Sequence, residues 1–189
     1  MIKWVRMLGY LIYLILVLIG VVTVWVEFNE VVSDVKSLNL GGDKGTALVL
    51  YQKGLRDFQP KVATAFAEGL ASSGMRVDIT TVSSKAPTKL SRYDLIILGW
   101  PTYWFNPSLL VRRYVRRVKD FGQKSIVIIC TAAGAPLGSC GKMRNLVELA
   151  NGNVVRALTL YSMRPNENDH NPVDIATQVG REIASRSLG

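Results

Sequence analysis

The sequence predicts one helix of membrane-spanning length followed by a single α/β domain built on a parallel sheet covered by helices. Three observations predict it. Leu8 to Val26 is a run of nineteen residues without a charge. After Gly45, short strand-like apolar runs alternate with amphipathic helical ones to the C-terminus, which is the signature of strands joined by crossover helices. The strand-like runs are apolar throughout rather than alternating, as strands buried on both faces are. At 189 residues the chain holds one domain of ordinary size plus a small element.

The small element is the N-terminal run. A helix of nineteen residues rises about 28 Å, close to the thickness of a bilayer core. Trp4, Tyr10 and Trp25 fall near its two ends, where aromatic side chains sit at lipid–water interfaces. A cleaved signal peptide and a buried core helix both have shorter apolar runs, and no small-x-small cleavage site follows. Residues 1–26 are therefore expected to be a retained single-pass anchor in the lipid bilayer, and 27–45 a juxtamembrane linker. In that linker Val31, Val32, Val35 and Leu38 are spaced loosely like a helix until Gly41 and Gly42 end it. Lys3 and Arg6 precede the span and only Lys36 follows closely, which favours a cytoplasmic N-terminus and an external domain. The charge of the domain does not choose a side, and the side stays open.

Residues 46–189 make the domain. Thr46–Tyr51 reads as the first strand, and Pro60 opens a helix whose Val62, Phe66 and Leu70 recur at spacing four until Gly74. Met75–Val82 is the second strand. A polar connection with Pro87 then leads to Tyr93–Gly99, the most apolar and hence central strand, with no full helix between. Pro107–Phe121 is helical, with Leu110, Val111, Tyr114, Val115 and Val118 on one face. Ser125–Thr131 is the fourth strand. A Gly/Ala-rich loop from Ala132 to Ser139 and a helix through Met143–Leu149 precede the fifth strand, Val154–Leu160, and Pro172–Ser187 is the last helix.

Composition excludes several chemistries. One histidine, His170, argues against a His-based triad or a His-rich metal site, and Cys130 and Cys140 form neither a CxxC pair nor a zinc pattern. A disulfide between them is open only to an external domain. No phosphate-loop or nucleophile-elbow motif is present. All fourteen acids and twenty-one of the twenty-three Lys and Arg follow Val26, so the soluble part carries about +7. Such a charge suits anionic headgroups or an acidic redox partner protein. Arg112, Arg113, Arg116, Arg117 and Lys119 form the densest basic run, on the helix face opposite the valines. No nucleic-acid-reading motif accompanies it, so nucleic acid is not an expected partner.

In an open parallel sheet the ligand lies beyond the carboxyl ends of the strands, which selects the loops Gln52–Gln59, Trp100–Pro107 and Ala132–Cys140. The segment YDLIILGWPTYWFNPS resembles the G-x-P-x-Y-W segment of flavodoxin-like flavoproteins, especially the NADPH-dependent FMN reductase branch. The likeness covers Thr46 to the C-terminus. It implies a flavodoxin-like five-stranded parallel sheet in the order 2-1-3-4-5, FMN as cofactor, and electron transfer or reduction of a small acceptor. It further implies that Trp100, Pro101, Thr102, Tyr103, Trp104 and Asn106 line the flavin site. TAAGAPLGS is similar to the family's Gly-rich segment and implies contacts from Thr131, Ala132, Ala133, Gly134 and Gly138. An aromatic face and close backbone amides suit a flat isoalloxazine ring. Because the flavin carries the hydride or electron, no catalytic protein residue is expected.

The first loop departs from the family. Where a Ser/Thr-rich turn would hold the FMN phosphate, it reads Gln52, Lys53, Gly54, Leu55, Arg56, Asp57 with no hydroxyl. Gly54 is retained, and Lys53 and Arg56 supply positive charge at the start of the first domain helix. The other reading of that loop is a flavodoxin-fold binding or interaction module at the membrane that has lost its cofactor.

Overall fold

In the computed structural model, which describes residues 2–134, 138–166 and 170–186, each apolar run of the domain becomes a strand and each amphipathic run a helix. The order is α1 (Ile2–Phe28), β1 (Lys36–Leu38), β2 (Thr46–Tyr51), α2 (Phe58–Ser72), β3 (Arg76–Thr81), β4 (Leu95–Pro101), α3 (Leu109–Val118), β5 (Ser125–Ala132), α4 (Ser139–Leu149), β6 (Asn153–Tyr161) and α5 (Pro172–Arg186). The last helix was expected to reach Ser187, which lies outside the described residues, as does Met1.

The sheet runs β1-β3-β2-β4-β5-β6. The strands β3-β2-β4-β5-β6 are parallel and reproduce the expected order. The sixth strand is β1, antiparallel to β3 with Lys36 opposite Ile79 and Leu38 opposite Val77. Three residues, Lys-Ser-Leu, in a polar segment carry no periodic signal of their own, so the sequence alone points to five.

Strand parity divides the core. Along β4, Leu95 and Ile97 face α2 and α5, where they meet Val49, Val62, Phe66, Leu70, Ile129 and Val179. Ile96, Leu98 and Trp100 face α3 and α4 and meet Leu48, Val111, Tyr114, Ile128, Met143 and Val147. α2 and α5 cross with their backbones touching: a Cβ on Gly69 would lie 2.2 Å from the Thr177 carbonyl oxygen, and one on Gly180 would lie 2.5 Å from that of Phe66.

Among the described residues no helix joins β3 to β4. The connection is held instead by side chains from α3, with Tyr114 Oη donating to Pro87 O at 2.6 Å and Arg117 Nη2 to Ser83 O at 2.7 Å. α3 is shorter than the expected Pro107–Phe121. Ser108 caps it by accepting from Val111 N at 3.4 Å, and Lys119, at φ 66°, ends it.

α1 is long and apolar enough to cross a bilayer, and none of its apolar window is buried in the protein. Its end is seated in the domain. Val26 is buried and its carbonyl accepts from Gln52 Nε2 at 3.4 Å. Glu27 Oε2 accepts from Leu109 N at 2.5 Å, at the start of α3, and Arg113 lies 5.2 Å over the Phe28 ring. Glu30 Oε1 accepts from Ser84 N at 2.7 Å, and Ser33 exchanges bonds with Thr80 and Thr81 at the end of β3. The segment from Asn29 to Gly45 is thereby laid along the sheet edge.

Candidate cofactor-binding site

Beyond the carboxyl ends of β2, β4, β5 and β6 lies a cavity of about 330 Å³, lined by Gly54, Leu55, Arg56, Phe58, Gln59, Pro101, Thr102, Tyr103, Thr131, Ala132, Ala133, Ser162 and Met163. That volume is at the lower end of small-molecule sites, about 300–1,000 Å³. The three loops selected from sequence meet here because parallel strands in register end together: Tyr51 lies beside Gly99, and Pro101 beside Thr131.

The walls are built by backbone as much as by side chains. Thr102 N donates to Thr131 O at 2.7 Å, which ties the second loop to the end of β5. Tyr103 Oη accepts from Leu55 N at 3.1 Å, which ties the second to the first. Burial raises the Tyr103 phenol above its ordinary pKa, so it stays a neutral hydroxyl. Gly54 sits against this wall, where a Cβ would come within 2.9 Å of Tyr103 Oη.

Gln59, on the first turn of α2, is the cavity's most telling polar group. It is 1 % exposed; its Oε1 accepts from Thr131 Oγ1 at 2.7 Å, and its Nε2 has no protein partner. Gly99 makes room for it, since a Cβ there would lie 2.3 Å from that nitrogen. Packed against Gly99 and without a partner, this buried amide donor costs about 1–3 kcal/mol. Gln59 closes the first of the three selected loops, yet a polar residue in a helix's first turn gives no sequence sign of burial; Phe58, Ser162 and Met163 are the other lining residues that sequence reasoning missed.

Of the residues selected from sequence, Gly54, Leu55, Arg56, Pro101, Thr102, Tyr103, Thr131, Ala132 and Ala133 are brought together in the cavity wall. The others stand elsewhere. Trp100 belongs to β4, not to the loop after it, and shares the parity of Ile96 and Leu98. It is fully buried on the α3 and α4 side and donates to Ser139 Oγ at 3.1 Å. Gln52 is buried under the end of α1, while Lys53 points to Asp57 at 4.0 Å. Trp104 is 63 % exposed at the tip of a turn, and Asn106 closes that turn by donating to Trp104 O at 2.9 Å. Gly134 does not line the cavity. Gly138 is the left-handed N-cap of α4, φ 85°. Ala135, Pro136 and Leu137 of the Gly/Ala loop lie outside the described residues.

The two cysteines meet one layer below. Cys130 is buried on β5 with Thr102 Oγ1 at 3.0 Å, and Cys140 is on the first turn of α4 with Thr159 Oγ1 at 3.4 Å. A hydrogen bond between the thiols, more than burial, pushes Cys130 up; the same bond, with Thr159 and the charge of Arg144, pulls Cys140 down. No cluster of side chains that could hold a metal exists among the described residues.

The sheet order and the placement of the cavity can be compared with known proteins. A WrbA-like flavodoxin from Agrobacterium tumefaciens superposes with a TM-score of 0.59, 18% identity, over 76% of this chain and 97% of that one. The domain has the flavodoxin fold. The two-electron-reduced flavodoxin of Megasphaera elsdenii matches at 12% identity and a TM-score of 0.59, over 74% of this chain and 98% of its own. An NAD(P)H:quinone oxidoreductase from Methanothermobacter marburgensis matches at 16% and 0.52, over 74% and 97%. No family model and no curated protein matches the sequence. At these identities the flavodoxin-like likeness is one of fold.

Proposed function

We propose that this chain is a membrane-anchored flavodoxin-like protein that binds FMN in the cavity and transfers electrons to, or reduces, a small acceptor. The observation that carries the reading is a cavity of ligand size built by all three carboxyl-end loops. The residues present fit the group. Tyr103, Pro101, Phe58 and Leu55 offer apolar surface to a flat ring, while Ala132 and Ala133 let backbone approach its edge. The phosphate end falls to Arg56 and the N-terminus of α2, whose N-cap Asp57 makes no side-chain cap bond. When bound, the flavin supplies hydride and one-electron chemistry; the chain's own residues bind it, orient it and exclude water. Arg116 and Lys119, exposed on and just beyond α3, suit an acidic redox partner protein.

A specific observation favours a second reading: the first loop has no hydroxyl to hold a phosphate, as in a fold kept for interaction without cofactor. Full-length protein in nanodiscs, titrated with FMN, separates the two. The flavin reading expects a yellow protein that quenches FMN emission with micromolar or tighter affinity. Colourless protein that leaves FMN emission unchanged refutes it and leaves the interaction module.

A further inference from the structure

The residues around the cavity mouth are apolar and exposed. Leu55, Trp104, Phe105 and Met163 are each half exposed or more, on the loops after β2, β4 and β6, so four large open apolar side chains gather at one edge, while Leu149 and Val155 stand apart from it. Trp104 and Phe105 occupy the two central positions of a tight turn, both in the left-handed region with φ 48° and 60°. That turn is closed by a bridge between Tyr103 and Asn106. Glycine or asparagine is the residue such positions favour, and each large side chain there costs about 1–2 kcal/mol. The turn is nonetheless held firm. Lys142 Nζ donates to Asn106 Oδ1 at 2.7 Å and to Phe105 O at 3.4 Å. The structure therefore spends stability to present two aromatic rings outward on a braced tip.

The end of α1 says what faces them. The uncharged part of the helix runs from Met7 to Val26, and Val26 is already buried in the domain. No slack chain separates the apolar helix from the cavity edge. Trp25, Val26 and Asn29 share a small pocket with Lys53, Gly54 and Leu55, and Glu27 bonds the first amide of α3, directly after the Trp104 turn. A helix whose apolar length ends at the domain sets that edge at the lipid interface. Lys53, Arg56, Arg113, Lys142 and Arg164 lie on or beside the same loops, placing cations at headgroup level beside rings that prefer the interface.

We infer that the rim formed by Leu55, Trp104, Phe105 and Met163 is a second membrane contact, inserted in the interfacial layer of the bilayer that α1 crosses. The inference rests on α1 spanning the bilayer and not on flavin binding. It holds the cavity mouth against lipid, so that a reactant dissolved in the membrane reaches the site without entering water.

The test uses the full chain in nanodiscs of phosphatidylcholine and phosphatidylglycerol, with and without brominated acyl chains, which quench nearby indoles. In the wild type, quenching of Trp4 and Trp25 reports insertion of α1. In a Trp4→Phe/Trp25→Phe background only fully buried Trp100 and Trp104 emit. Brominated lipid is expected to remove at least a third of that emission, and adding Trp104→Ser to abolish the effect. Quenching in the wild type with none in the double variant overturns the second contact while α1 still spans. Absence of quenching in both overturns the spanning reading and the contact together. Acrylamide in the aqueous phase gives the complementary reading: Trp104 shielded once in the nanodisc supports insertion, whereas full accessibility refutes it. Met163→Ser and Leu55→Ser in the same background should weaken the bromolipid effect if the whole rim is seated.

Discussion

Replacing Gly69 by alanine tests how the fold seats the cavity, because two physical effects there have opposite signs. Gly69 is inside α2, and alanine in a helix interior is favoured by about 1 kcal/mol. The new Cβ would, however, lie 2.2 Å from the Thr177 carbonyl oxygen of α5 and 3.2 Å from Arg181 N. Both neighbours are backbone, so neither can rotate away; the helices must part by about 1 Å over a contact so close that a Cβ on Gly180 would likewise lie 2.5 Å from Phe66 O. Overpacking of this kind costs about 1–3 kcal/mol, and rigid partners place it at the upper end. Subtracting the propensity gain leaves Gly69→Ala destabilising by about 2 kcal/mol, a drop in Tm of about 4–8 °C for a domain of this size. Gly141 is the control. It lies inside α4 with nothing within 4 Å of an added Cβ, so Gly141→Ala should raise stability by up to about 1 kcal/mol. Thermal unfolding of the full chain in detergent micelles, followed by far-UV circular dichroism, reads both. A Tm for Gly69→Ala equal to or above wild type would refute the backbone-contact reasoning, since it would leave helix propensity as the only term.

Three further outcomes follow from the site. Gln59→Met, at nearly constant volume, leaves the buried Thr131 hydroxyl without its Gln59 acceptor; Tm should fall by a few degrees, and FMN affinity with it, since both residues line the cavity, as read by melting and fluorescence titration. The Cys140 thiolate is favoured by its bond from Cys130, so alkylation of Cys140 by iodoacetamide should rise at lower pH than for a free thiol, with Cys130 inert throughout; Arg144→Gln should move that profile upward, as mass spectrometry of timed samples will show. Bonds from the Ser84 side chain and amide hold the Glu30 carboxyl below its ordinary range. A lowered folded pKa contributes stability above the unfolded value that is lost as pH falls through the folded one. Melting of the wild type should therefore weaken on acidification more than that of Glu30→Gln.

Much of the domain was legible because its signals are periodic. The run Leu95–Gly99 names a central strand, and the spacing of Val62, Phe66 and Leu70 names the buried face of α2. The convergence of three loops at the cavity follows from strand order alone. What escaped was set by parity and by tertiary contact. Trp100 reads as part of an aromatic loop, yet it continues the alternation of Ile96 and Leu98 into the far core. Gln59 looks like a solvated helix start and becomes a buried donor only because Gly99, on another strand, lacks a side chain. The bonds from Ser33 to the end of β3 join residues nearly fifty positions apart in sequence, |i−j| 48 for Thr81, and no local pattern announces them. The basic run on α3 reads as one wet face; in the structure Arg113 covers Phe28 and Arg117 braces the loop after β3.

The seating of Val26 on Gln52 bears on how the surroundings act on the domain. A bilayer thicker or thinner than a helix's apolar length is accommodated chiefly by tilting that helix. Where a flexible tether intervenes, tilt is absorbed and the domain does not register it. Here the last turn of α1 is bonded to the residue that begins the Gln52–Asp57 loop and to the first amide of α3. With α1 in a bilayer, as proposed above, a change in its tilt would become a torque on two of the three loops that shape the cavity, and lipid thickness would thereby bear on the site.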